Sequence, residues 1–441
     1  MKSFLKSPGF QKYFRNTIWF VLEKVVRLVL GVFIGAWVAR YLGPEEYGIL
    51  GFAISFVSIF SAFTTLGIDW VAVRNLIVAP SQKNEIMGTS FVLRFFGTVF
   101  LLLLVWGALY LTSATKFEKS IVMVIAFGQV FTSYSVIDYY FRAEVKAKRY
   151  TEVNLSSFIV ASVANIAFIL LRLPLIWFAV VVTIENIVKI YFFVFFYSKE
   201  TGTRFWQNFF LYRFFSFDTA ISLLKDSWPI LISGLITAFY MKIDQVLVKE
   251  ILGNQALGYY SIAVRISEAW FFLSISITES LYPAILNAKK LSVDLYHSRL
   301  QKMYQILILI AVLIAIFMSF AAKPIIIGLY GDMYAETVGI LIIYIWSNVF
   351  MFLDGGSWKW HVTENLQRIA IFRLLLGVIL NLFLSILFIK LYGLMSVAYA
   401  TLISYAFATY FGNLLVKKTR QNFKLQSLAI INVFNIKSYL Q

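Results

Sequence analysis

The chain has no cysteine, which excludes disulfides, thiolate metal sites and cysteine nucleophiles. Histidine is almost as scarce, with only His297 and His361. Both are assigned to cytoplasmic loops, are not spaced as ligands, and are expected to be non-catalytic. Charge is thin, at 14% against about 25% in a soluble domain. No Gly-Lys-Ser/Thr loop follows Asp354-Gly355-Gly356, which lies near a span end, so no nucleotide site is read there. No cofactor, no metal and no ATP-driven step on this chain are expected, and enzyme chemistry finds little support.

Apolar residues make up 60% of the 441, mean hydropathy is +0.80, and the apolar residues fall in long blocks. A crossing takes about 20 mostly apolar residues in helical form. Twelve such spans are predicted at 16–41, 47–67, 86–111, 120–141, 153–171, 174–197, 222–248, 257–285, 303–322, 338–357, 369–390 and 394–416. Backbone groups in lipid must be bonded internally, and alternating strands of about ten residues are missing, so the fold class is an all-α integral membrane protein. The first block is too long for a signal-peptide core, and no cleavage site follows it.

The net charge of +17 would suit nucleic acid, but its distribution argues otherwise. Of 39 lysines and arginines, 25 fall on one side of the predicted topology, from Lys2, Lys6 and Lys12 through Arg149, Lys289 and Lys290 to Lys424 and Lys437. Only 7 fall on the other, among them Arg40, Lys116 and Lys323. The positive-inside rule then puts both termini in the cytoplasm, and no nucleic-acid role is needed. The largest cytoplasmic link, 198–222, divides the chain into an N-terminal lobe (1–215), a C-terminal lobe (216–416) and a cytoplasmic tail (417–441).

The two lobes look related. Leu42-Gly43, Gly48 and Ala53 recur as Leu252-Gly253, Gly258 and Ala263, all at one offset of 210 residues, and Val38 pairs with Val248. Both sets sit in the hairpin joining the first two spans of a lobe. With six spans in each lobe, the halves form a parallel repeat around a central cavity.

Seven cations lie inside spans: Lys24, Arg27, Arg94, Lys189, Lys242, Arg265 and Arg373. Each costs about 2.5–3.5 kcal/mol at a helix centre on the insertion scale, so they should face the bundle interior. Ser261, Arg265, Glu268 and Glu279 share one helical face, as do Ser233, Thr237, Tyr240 and Asp244. Glu23 with Arg27, Glu185 with Lys189, and Arg265 with Glu268 are spaced to pair within one helix, which leaves a structural role open for each pair. Arg94 and Arg373 have no obvious partner on their own helix and so stand as ligand candidates. Lys242, near the outer end of its span, is expected to snorkel. The acids Glu23, Glu185, Asp244, Glu268, Glu279 and Asp354 nearly balance the cations.

The segments Arg40-Tyr41-Leu42-Gly43-Pro44-Glu45-Glu46-Tyr47-Gly48, Leu66-Gly67-Ile68-Asp69, Lys242-Ile243-Asp244-Gln245 and Leu252-Gly253 to Gly258-Tyr259-Tyr260-Ser261-Ile262-Ala263 carry a resemblance. With them the chain resembles the multidrug/oligosaccharidyl-lipid/polysaccharide exporter superfamily, and within it the Wzx-type flippases of O-antigen, lipopolysaccharide and capsule repeat units. The resemblance implies two six-helix lobes and alternating access. It implies an undecaprenyl-pyrophosphate-linked oligosaccharide as cargo, moved to the outer leaflet of the bacterial inner membrane. It also implies that Arg27 and Arg265 meet the pyrophosphate, since related lipid II flippases use arginines on their first and eighth helices. Arg94 and Arg373 join them as pyrophosphate-binding candidates, and Glu268, Asp244 and Glu23 are ion-coupling candidates.

A drug or cation antiporter of the same fold is the alternative. A polymerase or glycosyltransferase would call for a large outer loop, and none is present. Short loops still permit such enzymes, like membrane lipid, as partners.

Overall fold

The computed structural model describes residues 8–204 and 211–433. Lys2, Lys6 and Lys437, counted above for orientation, lie outside the described residues.

The described residues are mostly helical, with no strand among them. In chain order the α-helices are α1 (Pro8–Ile59), α2 (Ala62–Thr65), α3 (Asp69–Val78), α4 (Lys83–Ala108), α5 (Lys116–Gly128), α6 (Val136–Ala143), α7 (Ala147–Leu170), α8 (Leu175–Thr201) and α9 (Phe217–Leu252). There follow α10 (Asn254–Glu268), α11 (Phe271–Leu291), α12 (Val293–Ile325), α13 (Thr337–Tyr344), α14 (Ser347–Thr363), α15 (Gln367–Tyr392), α16 (Leu394–Thr409) and α17 (Arg420–Ile431). Among the described residues, 11 helical segments are long and apolar enough to cross a membrane. The first, Leu22–Ile59, is two helices joined at a kink at Gly43; counted as two arms, it brings the number to the expected dozen. Large apolar side chains such as Phe96, Leu103, Phe317, Phe320 and Phe383 are exposed, as lipid-facing residues should be. This is a multi-pass membrane protein.

The repeat is legible in the backbone. Gly43 (φ 74, ψ 170) and Gly253 (φ 88, ψ 179) hold the same left-sided conformation, which a side chain rarely tolerates. The helices that follow also break at matching places, near Phe60–Ser61 and at Ala269–Trp270. Asparagines satisfy carbonyls freed at two irregular points. Asn186 Nδ2 donates to Gly128 O at 3.0 Å, and Asn348 Nδ2 donates to Ser267 O at 3.0 Å.

The chain divides into two compact units. The first is Met1–Leu42 with Ile49–Ala238; the second is Gly43–Gly48 with Phe239–Gln441. The division thus falls inside α9, and the short hairpin segment Gly43–Gly48 belongs with the second unit. The core of the first unit includes Ile68, Met87, Ile137, Phe141, Phe193 and Leu223. That of the second includes Leu300, Tyr304, Phe352, Leu353, Trp360 and Leu425. Leu425 comes from α17, in the region read from sequence as a tail. That helix is docked, with Asn422, Gln426 and Ala429 fully buried.

Candidate substrate site within the membrane

In the first unit, five charged side chains from α1 and α8 form one cluster. Arg27 Nη2 donates to Glu185 Oε1 at 3.1 Å, and its Nε lies 3.7 Å from Glu23 Oε1 one turn earlier. Lys189 Nζ reaches the same Glu185 oxygen at 2.9 Å. Lys24 lies 3.4 Å from Glu23 Oε2. The Arg27 guanidinium also lies over the ring of Phe158, on α7, at 4.8 Å, within the range of a cation–π contact. Two of the three intrahelical pairs read from sequence form here, Glu23 with Arg27 and Glu185 with Lys189. Three cations stand against two carboxylates, and Arg27 keeps 29% of its side chain accessible. A planar, permanently charged guanidinium in a low-dielectric setting suits a phosphate oxygen pair.

In the second unit, Arg265 on α10 donates through Nη1 to the Tyr47 hydroxyl at 3.1 Å. Arg265 is exposed. Tyr47 in turn meets Tyr334 edge to face at 6.4 Å. The third predicted intrahelical pair, Arg265 with Glu268, is replaced by a contact between helices. Lys242 Nζ on α9 donates to both Glu268 oxygens, at 2.9 and 3.1 Å. Lys242 therefore does not snorkel: a half-buried carboxylate on the next helix offers it a stronger partner than the interface does.

Asp244 is buried, accepting from the Tyr260 hydroxyl at 2.6 Å and from Gln245 N at 2.8 Å. Its stripe is split, since Tyr240 and Asp244 are buried while Thr237 is exposed. The stripe on the eighth span is split as well. The break at Ala269–Trp270 shifts the register, and Glu279, on α11, pairs with Lys359 at 2.6 Å.

Arg94 and Arg373 differ from Arg27 and Arg265. Both side chains are at most 6% accessible. Arg94 donates to Asp69 at 2.9 Å and to the Tyr139 hydroxyl at 2.8 Å, and Tyr139 also donates to Asp69. Arg373 donates to Asp354 at 3.0 Å and to Asn413 Oδ1 at 2.5 Å. Asn413 is held by Gln426 at 2.9 Å, and Ser357, beside Arg373, takes a bond from Asn422 at 2.8 Å. These two arginines stood out in the sequence for lacking a partner on the same helix; their partners come from other helices.

Neither histidine lies in a loop. His297 is in the first turns of α12, and His361 is in the last turn of α14. His361 is fully buried, with Nδ1 2.7 Å from Ser357 O. Asp354-Gly355-Gly356 stands in the middle of α14. There the two glycines let Ser274 and Tyr304 approach the helix backbone. Tyr47, Phe158 and Tyr260 were not singled out from sequence as site residues, although Tyr47 and Tyr260 stand in the segments that carry the resemblance.

The model of a family described as polysaccharide biosynthesis protein matches residues 13–289. No curated protein matches the chain in sequence. Among solved structures, a multidrug resistance MATE family transporter of the MOP superfamily, inward-facing, aligns with a TM-score of 0.70 and 15% identity, over 91% of this chain and 95% of that one. The lipid II flippase MurJ, in an inward closed conformation, aligns with a TM-score of 0.70 and 16% identity, over 95% of this chain and 92% of that one. A MOP superfamily transporter from Pyrococcus furiosus aligns with a TM-score of 0.60 and 13% identity, over 96% and 97%. At these identities the likeness establishes the fold.

Proposed function

Because this chain belongs to the polysaccharide biosynthesis protein family and has the fold of the MOP transporters and flippases, we propose that it flips an undecaprenyl-pyrophosphate-linked oligosaccharide. The cargo passes from the cytoplasmic to the outer leaflet of the bacterial inner membrane by alternating access, and both termini stay in the cytoplasm. The observation that carries the reading is the contrast among the intramembrane arginines. Arg27 and Arg265 are accessible and oriented by partners, whereas Arg94 and Arg373 are themselves buried and bonded to residues of other helices. The first pair binds the pyrophosphate; the second holds helices together. Glu268, Asp244 and Glu23 remain the ion-coupling candidates, and glycosyltransferases or a polymerase the partners in the pathway.

A multidrug or cation antiporter is the rival, favoured by the likeness to the MATE transporter. It calls for carboxylates open to a cationic ligand. Here Glu185, Glu268 and Glu279 are each already bound to a lysine, which supports the anionic cargo. The test is reconstitution. Proteoliposomes should move a fluorescent isoprenyl-pyrophosphate oligosaccharide and leave ethidium where it is; the reverse pattern favours the antiporter.

A further inference from the structure

We propose that Glu185 is a resident counter-ion, displaced from Arg27 and Lys189 by the diphosphate of the cargo. The inference rests on the pyrophosphate reading above and deepens it. One oxygen of Glu185, Oε1, accepts from Lys189 at 2.9 Å and from Arg27 at 3.1 Å. That oxygen occupies the point where two cations converge, which is where a phosphate oxygen gains most. The three side chains are 19–29% accessible, so an incoming anion can reach them.

Arg27 does not need Glu185 to keep its pose. Glu23, 2% accessible, lies beside its Nε, and the Phe158 ring covers one face. The guanidinium is fixed on those two sides and gives a third edge to the exchangeable carboxylate. With Glu185 withdrawn, Lys24, Arg27 and Lys189 face Glu23 alone, and the local charge rises to meet a diphosphate. Glu200, on the same helix, is built differently. Its two oxygens are used separately, Oε2 by Lys146 at 2.9 Å and Oε1 by Arg149 at 2.9 Å, in a fixed bridge between the ends of α7 and α8. A counter-ion that competes with the cargo weakens holding and speeds release, which a transporter needs at the end of its stroke.

The test uses the full chain in nanodiscs of neutral phosphatidylcholine with farnesyl pyrophosphate as the probe. Glu185→Gln should bind the probe about tenfold tighter than the parent and release it more slowly, whereas Glu200→Gln should bind as the parent does. Affinity of Glu185→Gln equal to or below the parent overturns the proposal. So does equal tightening toward phosphatidylglycerol, which would assign the displaced place to a bilayer headgroup. If Glu185→Gln fails to fold, Lys189→Gln takes its place: at least a tenfold loss of affinity is expected, and unchanged affinity overturns the proposal. If the parent binds no pyrophosphate while remaining monodisperse, the flippase reading itself fails, and the two failures are thereby told apart.

Discussion

Gly48 and Gly258 each press against the backbone carbonyl of the residue four positions before the other. Gly48 lies on the Asn254 carbonyl and Gly258 on the Pro44 carbonyl. Both relations lie within the second unit. Both obey the 210-residue offset, so the repeated glycines in the sequence are the close approach itself. A methyl group at either position would overlap a main-chain oxygen, which cannot rotate away as a side chain can. Gly48→Ala and Gly258→Ala should therefore each cost about 1–3 kcal/mol, visible as a lower thermal midpoint in detergent. Gly107, with nothing within 4 Å of an added methyl, is the control. There alanine should be neutral or stabilising, by up to about 1 kcal/mol.

Arg94→Gln and Arg373→Gln should act on folding. Removing one member of a buried pair costs about 3–5 kcal/mol. Asp69 and Asp354 keep 32% and 33% of their side chains accessible, so about 2–3 kcal/mol is expected here after discounting for solvent. The expected readout is a reduced folded fraction on size exclusion, with unchanged cargo affinity in whatever folds. Arg27→Gln and Arg265→Gln should do the opposite: near-parental stability and impaired transport.

The C-terminal helix α17 should be part of the folded second unit. Asn422 and Gln426, one turn apart, each hold a group that touches Arg373. Asn422→Ala and Gln426→Ala should each lower stability by about 1–2 kcal/mol through lost buried hydrogen bonds. Equal thermal midpoints for parent and variants would mean that α17 is an ornament.

Glu268→Gln should loosen coupling before it affects folding, because it keeps an acceptor for Lys242 while removing a titratable charge. In proteoliposomes with an imposed pH gradient, the parent should accelerate and the variant should not. Asp244→Asn is the comparison: the amide can still accept from Tyr260, so folding should survive. A parent that ignores the gradient sinks proton coupling through either residue.

Much of the fold was legible because its signals are long-range averages. Apolar blocks give spans, and Lys/Arg asymmetry gives the expected orientation. Gly43 and Gly253 gave the repeat because only glycine readily holds their positive φ. Pairs one turn apart, Glu23 with Arg27 and Glu185 with Lys189, were legible for the same reason: helix geometry fixes them. What failed was anything set by a neighbouring helix. Lys242 found Glu268 and Arg94 found Asp69 across contacts that no spacing rule encodes. The helical break at Ala269–Trp270 also has no breaker residue at it, so the register of Glu279 could not be foreseen.

Flippase activity is tested at its root by the sidedness of lipid-linked oligosaccharide in cells lacking the protein and in cells complemented with the parent, Arg27→Gln or Arg265→Gln. Glycolipid should accumulate on the cytoplasmic leaflet without the protein and with either variant, at normal membrane levels of each, and the parent should restore export. Glycolipid that reaches the outer leaflet equally in all four strains would contradict the flippase reading.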